Sequence, residues 1–150
     1  ITWSLVGSEM CIRDSFQSEL VGFTSDGHAV LRKKYYTIEP NPRAMVHVDA
    51  GHNKSTWANY GKYILIVDLS NARASIPRLV RYAKAFNDVE DVVPPDAVHV
   101  LHSPAWCRGA WRVLRHITSA AITRAVHFYA GGTEELEGTG HLPVRSQRLS

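Results

Sequence analysis

Sulfur and long apolar runs are both scarce in this chain of 150 residues. Its two cysteines, Cys11 and Cys107, cannot build a disulfide framework, and without a Cys-x-x-Cys pair neither a thiolate metal cage nor a dithiol redox centre is readable. A reducing, cytoplasmic compartment is therefore the expectation. The longest apolar run, YILIVDL at 63 to 69, is broken by Asp68 and falls far short of the roughly 20 residues that a membrane-spanning helix needs, so a soluble chain is expected. The opening ITWSLVGSEM has neither a basic start nor an unbroken apolar stretch, and no secretory signal is read there. The chain also lacks internal repeats and low-complexity tracts.

What is present suits one domain. At 45% hydrophobic residues, the chain can bury a real core but is too short to assume two. A formal charge of +3 and an isoelectric point near 9.0 permit contact with an anionic surface, lipid or nucleic acid, without choosing between them.

The stretch LVGSEMCIRDS at 5 to 15 carries no period that continues into the chain beyond it, but it reads well as nucleotides. In one frame, the codons of a transposase adaptor used in library preparation give ten consecutive residues, Leu5 to Asp14, and permit Ser15. Residues 1 to 15 are therefore expected to be translated adaptor, outside the fold. Residues 16 to 150 are expected to be one domain truncated at both ends, with Cys107 its only cysteine.

Along that remainder, Asp26-Gly27 reads as a turn before a strand over Ala29 to Tyr36. Residues 40 to 62 mix Pro, Asn, Gly and His without a sustained period, which predicts loop with one short helix. KYILIVDLS at 62 to 70 is nearly continuous in β-branched and apolar residues, as expected of a central strand buried on both faces. Ser75 then caps a helix whose core stripe is Ile76, Leu79, Val80, Ala83 and Phe86. Pro94 and Pro95 precede a second buried strand, AVHVLH at 97 to 102. Pro104 opens another helix, with Trp106, Ala110, Val113 and Ile117 in one stripe beside Trp111 and Leu114. A strand at about Arg124 to Ala130 and a short acidic helical turn, TEELEG, complete the pattern. Alternating strands and helices predict an α/β fold with right-handed crossovers and a small, mainly parallel sheet.

Motifs that promise chemistry mostly fail on geometry. GHNKST at 51 to 56 is no phosphate loop, because Asn53 stands directly before Lys54 and Val48 occupies the place of the first glycine. Cys107 lies among arginines as a phosphatase cysteine would, yet the position six residues on is Val113 rather than arginine, so a buried structural thiol is expected. His99 and His102 point to opposite faces of a strand, and His47 and His52 have no ligand pattern around them; no metal site is expected. Asp68 at a strand end reads as a structural acceptor of backbone amides. A catalytic site would need a polar constellation around Asp68 and the segment 47 to 56. No nucleophile, base and oxyanion donor come together, so no catalytic residue and no enzymatic activity are expected.

From Lys62 to Pro143 the chain resembles the CRAL-TRIO family of lipid-binding domains, which includes phosphatidylinositol transfer proteins and tocopherol carriers. ILIVDLS matches the family's first long strand, VPPDAVHVLHSP its break and second strand, and AWCRGAWRVLRHI its amphipathic helix. AVHFYA matches the next strand and HLPV the ending, while DGHAVLRKKYY at 26 to 36 is similar to an earlier strand. The chain departs from the family at His102-Ser103, where Asn-Ala is usual, at Pro94-Pro95-Asp96, and from Val144 to Ser150. Ile122 and Ala125 stand where phosphoinositide-binding members carry Thr and Lys, so headgroup recognition is not carried over.

The resemblance implies a sheet flooring an apolar pocket that helices cover, with a hydrophobic lipid as ligand and no cofactor. The pocket residues it implies are Leu65, Val67, Val98, Val100, Trp106, Ala110, Trp111, Leu114, Val126 and Phe128. Arg108, Arg112 and Arg115 would face a transiently bound anionic membrane. A monomer without nucleic-acid partners is expected. The competing expectation is a protein-interaction module of the same fold, in which Trp106 and Trp111 fill the space above the strands.

Overall fold

The computed structural model describes residues 15–70, 72–73, 75–89, 92–118, 125–137 and 140–141. Strands β1 (Phe16–Phe23) and β2 (Ala29–Tyr35) form an antiparallel hairpin. Gly27, at φ +85°, supplies the left-handed residue of their turn. Helix α1 (Arg43–Tyr60) leads to β3 (Tyr63–Asp68), α2 (Ile76–Asn87) to β4 (Ala97–Leu101), and α3 (Trp106–Leu114) to β5 (Val126–Phe128). A 3-10 turn, Thr133–Leu136, comes after β5. The five strands lie in the order β1-β2-β3-β4-β5, with β2 through β5 parallel.

This topology fixes the layers. Each parallel neighbour is reached through one helix, and right-handed crossovers in a constant direction put every helix on the same side. The helices pack in a row, α1 against α2 and α2 against α3. β3 is central, as its composition predicts, and its side chains alternate between two cores. Toward the helices, Leu65 packs with Ala29, Leu31, Tyr63, Val98 and Val100. On the other face, Ile66 packs with Val30, Leu101 and Leu136. Fully burying each such aliphatic side chain contributes about 1.5–3 kcal/mol, so the period-two alternation of three strands drives both clusters.

Several elements depart from the sequence expectation. Residues 43 to 60 form an 18-residue helix, not loop. Its inward side carries Asp49, Asn53 and Thr56 alongside Met45, Val46 and Ala50, so polar residues in core positions hide the helical period. In α2 the Ser75 cap is present, its hydroxyl accepting from the Arg78 N–H at 3.4 Å. Of the expected stripe, Leu79, Val80, Ala83 and Phe86 are half-buried but Ile76 is exposed; Tyr82 also turns inward, and no residue of α2 is fully buried. In α3 Val113 is 51% exposed, against the expected stripe, while Ala110 and Cys107 are buried as expected of them. The segment Phe16–Phe23, for which the sequence pattern predicts no element, forms the edge strand.

Residues 1 to 14 and 142 to 150 lie outside the described residues, as does Arg124 at the start of the predicted last strand. Ser15, the last residue of the adaptor-like stretch, is buried: its hydroxyl donates to Glu39 Oε1 at 2.6 Å and its carbonyl accepts from the Tyr36 N–H at 2.8 Å. The packed chain thus begins at least one residue before the expected boundary. Among the described residues, no helix is long and apolar enough to cross a membrane.

Candidate functional site

Between the sheet and the last two helices lies a cavity of about 240 Å³. Its floor is the helix-facing side of three strands: Val67 of β3, Val98 and Val100 of β4, and Val126 and Phe128 of β5. Its roof is Leu79 and Tyr82 of α2 with Trp106, Cys107, Ala110, Trp111 and Leu114 of α3. The segments after β2 and β3 close one end with Thr37, Ile38, Leu69 and Arg73. These two segments are tied together, the Arg73 N–H donating to the Tyr36 carbonyl at 2.7 Å and Thr37 bridging Arg73. The cavity therefore sits toward the carboxyl ends of the parallel strands, where open α/β sheets usually take their ligands.

Nine of the ten pocket residues predicted from sequence line this one space. Leu65 does not. It lies two residues upstream of Val67 on the same face, buried in the cluster that Leu31, Tyr63 and Val98 form beside it on the sheet. Trp111 stands edge-on to Phe128, ring centres 5.6 Å apart, while Trp106 at the N-terminal end of α3 is partly exposed. The two tryptophans thus frame the space without filling it. Burial raises the pKa of the Cys107 thiol, which suits the inert structural role expected of it.

Arg108, Arg112 and Arg115 are exposed, as expected of residues on the outer side of α3. They belong to a larger pattern. Together the three helices carry Arg43, Lys54, Arg78, Arg81, Lys84, Arg108 and Arg112, and their single acidic residue, Asp49, is buried. Within these three helices the exposed charges are therefore all basic, although the exposed Asp88 caps α2, and they are interrupted by the exposed side chains of Trp57, Tyr60, Ile76, Trp106 and Val113.

Asp49 centres a polar cluster that the sequence pattern did not reveal. Its carboxylate pairs with Lys33 Nζ and accepts from the hydroxyls of Tyr82 and, at 2.6 Å, Tyr35. Lys33 Nζ also donates to the Asp49 carbonyl at 3.1 Å. Both members of the ion pair are 1% exposed. Burial lowers the pKa of Lys33 against the opposing pull of Asp49, and burial followed by the Asp49 charge raises that of Tyr35. Tyr35 and Tyr82 also line the cavity, but their hydroxyls are committed to Asp49. A signal exists in the alternation Ala29, Leu31, Lys33, Tyr35, which puts a lysine at an inward position.

The remaining candidates have structural partners. Asp68 accepts from the Ser70 N–H at 2.9 Å and from Arg32 Nη2 at 2.8 Å. Burial works to raise its pKa, but those hydrogen bonds outweigh burial and leave it lowered. His99 is buried on the face away from the helices, its Nδ1 3.0 Å from the Tyr129 hydroxyl and its Nε2 2.5 Å from His141 Nδ1. The ring of His127 stacks on it at 5.5 Å. Burial, then the neighbouring His141 and His127, push its pKa down to about 4. His102 is exposed beyond the strand end, and His47 and His52 sit on exposed positions of α1 rather than in a loop. Among the described residues, no three His, Cys, Asp or Glu side chains are grouped to hold a metal ion. Neither the known protein-family models nor the curated proteins give a match to this chain.

Proposed function

We propose that this protein is a non-catalytic carrier that binds a hydrophobic lipid in the cavity between its sheet and helices α2 and α3. The observation that carries the reading is the cavity itself: about 240 Å³ left open in a place where valine, leucine, tryptophan and phenylalanine side chains converge. A partly open space of this size lined by apolar groups leaves its walls short of packing contacts, and an apolar ligand restores them. Each methylene transferred into it contributes about 0.8 kcal/mol, so affinity needs no polar group at the centre. The similarity of residues 62 to 143 to CRAL-TRIO domains supports the same reading. The competing module with a filled interior is less well supported, since Trp106 and Trp111 leave the space open.

Delivery would use the helix layer. Its mainly basic outer side, with Arg108, Arg112 and Arg115 spaced along the helix that begins at the partly exposed Trp106, suits transient contact with an anionic bilayer. Because α2 and α3 form the roof, contact there acts on the elements that must move for a ligand to enter.

Native mass spectrometry of the purified chain tests the proposal. Co-purified lipid is expected on the native protein and absent from Ala110→Trp, whose indole would occupy the cavity. A folded protein that stays empty after incubation with a mixed lipid extract would overturn it.

A further inference from the structure

The size and the single charge of the cavity narrow the class of ligand. A dry protein cavity of about 150 Å³ takes one benzene ring, roughly 25 Å³ per carbon, so 240 Å³ holds about ten carbons. Two long acyl chains do not fit this space. Among the described residues, Arg73 is the only one lining the cavity with a formal charge. Its side chain is exposed and makes no ion pair among the described residues. Since the Tyr35 and Tyr82 hydroxyls donate to Asp49 and the cavity walls are almost wholly apolar, the residues at the cavity end that carry a polar group for a ligand's head are, among those described, the exposed Arg73 and its neighbour Thr37. The bridge between Thr37 and Arg73 holds the two side by side.

Resting on the lipid-binding reading above, we infer that the cavity takes a single-chain amphiphile of about ten carbons that ends in a carboxylate. The chain fills the space over Val100 and Phe128, and the head meets Arg73 and Thr37 at the end of the sheet. A guanidinium presents two parallel N–H donors that match a carboxylate and gain less from a neutral hydroxyl.

Isothermal titration calorimetry of the full chain at pH 7 with decanoate, decanol and tetradecanoate tests this. Decanoate is expected to bind about three- to five-fold more tightly than decanol, the range for an ion pair that remains partly in water. Arg73→Gln, a change at an exposed position, should erase that advantage and leave decanol unchanged. Tetradecanoate should gain little over decanoate, because its extra methylenes remain outside. Equal binding of decanoate and decanol overturns the inference while sparing the carrier. So does an equal loss of both in Arg73→Gln, or an affinity that climbs to tetradecanoate by the full increment per methylene. If neither ten-carbon probe binds, and Ala110→Trp changes nothing, the carrier reading itself fails and the inference with it.

Discussion

The two faces of the sheet are built from the same strands, yet they solve opposite packing problems. On β4 the side chains of Val98 and Val100 point toward the helices and look into a void, whereas those of His99 and Leu101, one residue away in each case, lie in a filled layer. The filled face tolerates a buried imidazole because Tyr129 and His141 satisfy its nitrogens. The helix face keeps its polar residues to one side, where Lys33, Asp49, Tyr35 and Tyr82 satisfy one another, and leaves the rest apolar and incompletely packed. Burial alone therefore does not separate core from site. The distinction lies in whether the space beyond a buried side chain is occupied.

Substitutions can break this contrast. The largest effect is expected at the polar edge of the helix face. Asp49→Ala strands a buried ammonium and two phenols, and should cost about 3–5 kcal/mol in urea unfolding. The double change Lys33→Met with Asp49→Leu should recover most of that loss, since it removes both charges; a double variant no better than Asp49→Ala would deny that the pair acts as a unit.

Acid should act next, and on the opposite face. The folded-state pKa of His99, about 4, lies below the ordinary 6.5, so the unfolded chain binds its proton first. The contribution from neutral His99 is full above pH 6.5 and is lost as pH falls toward 4. His141 and His52, also lowered by burial, add in the same direction. Thermal melts between pH 7 and 4 should show this slope, and His99→Gln should flatten it.

Matched truncations then compare the faces directly. Val30→Ala opens a void in the filled layer and should cost about 2 kcal/mol, while Val100→Ala, which enlarges an existing cavity, should cost about half as much. Equal losses would mean that the helix face is packed as tightly as its opposite. Smallest is the cap of α2: Ser75→Ala should cost about 0.5–1 kcal/mol, readable as a slight fall in melting temperature.

Much of this arrangement is legible in the sequence alone. The β-branched run at 63 to 68 marks the central strand, and its alternation with the helices implies the parallel order. Nine of the pocket residues come from this strand, the two strands beyond it and the helix after Pro104. What stays hidden has a common cause. The helix Arg43–Tyr60 buries Asp49, Asn53 and Thr56, so an apolar count along it finds no face; only the partner Lys33, a strand away, explains why Asp49 points inward. The inward turn of Tyr82 in α2, made to reach Asp49, and the exposure of Val113 in α3 are equally unreadable. Tertiary partners decide these positions, and periodicity carries no record of them.

Helix α2 buries none of its residues completely and is anchored by a few polar contacts, from Tyr82 to Asp49 and from Arg78 to the Ile38 carbonyl. Opening of a segment costs little where few apolar contacts must be given up, so its backbone amides are expected to exchange with deuterated solvent well before those of the central strands. This thinly anchored helix is also half of the cavity's roof, and an element that opens at little cost there is the natural door.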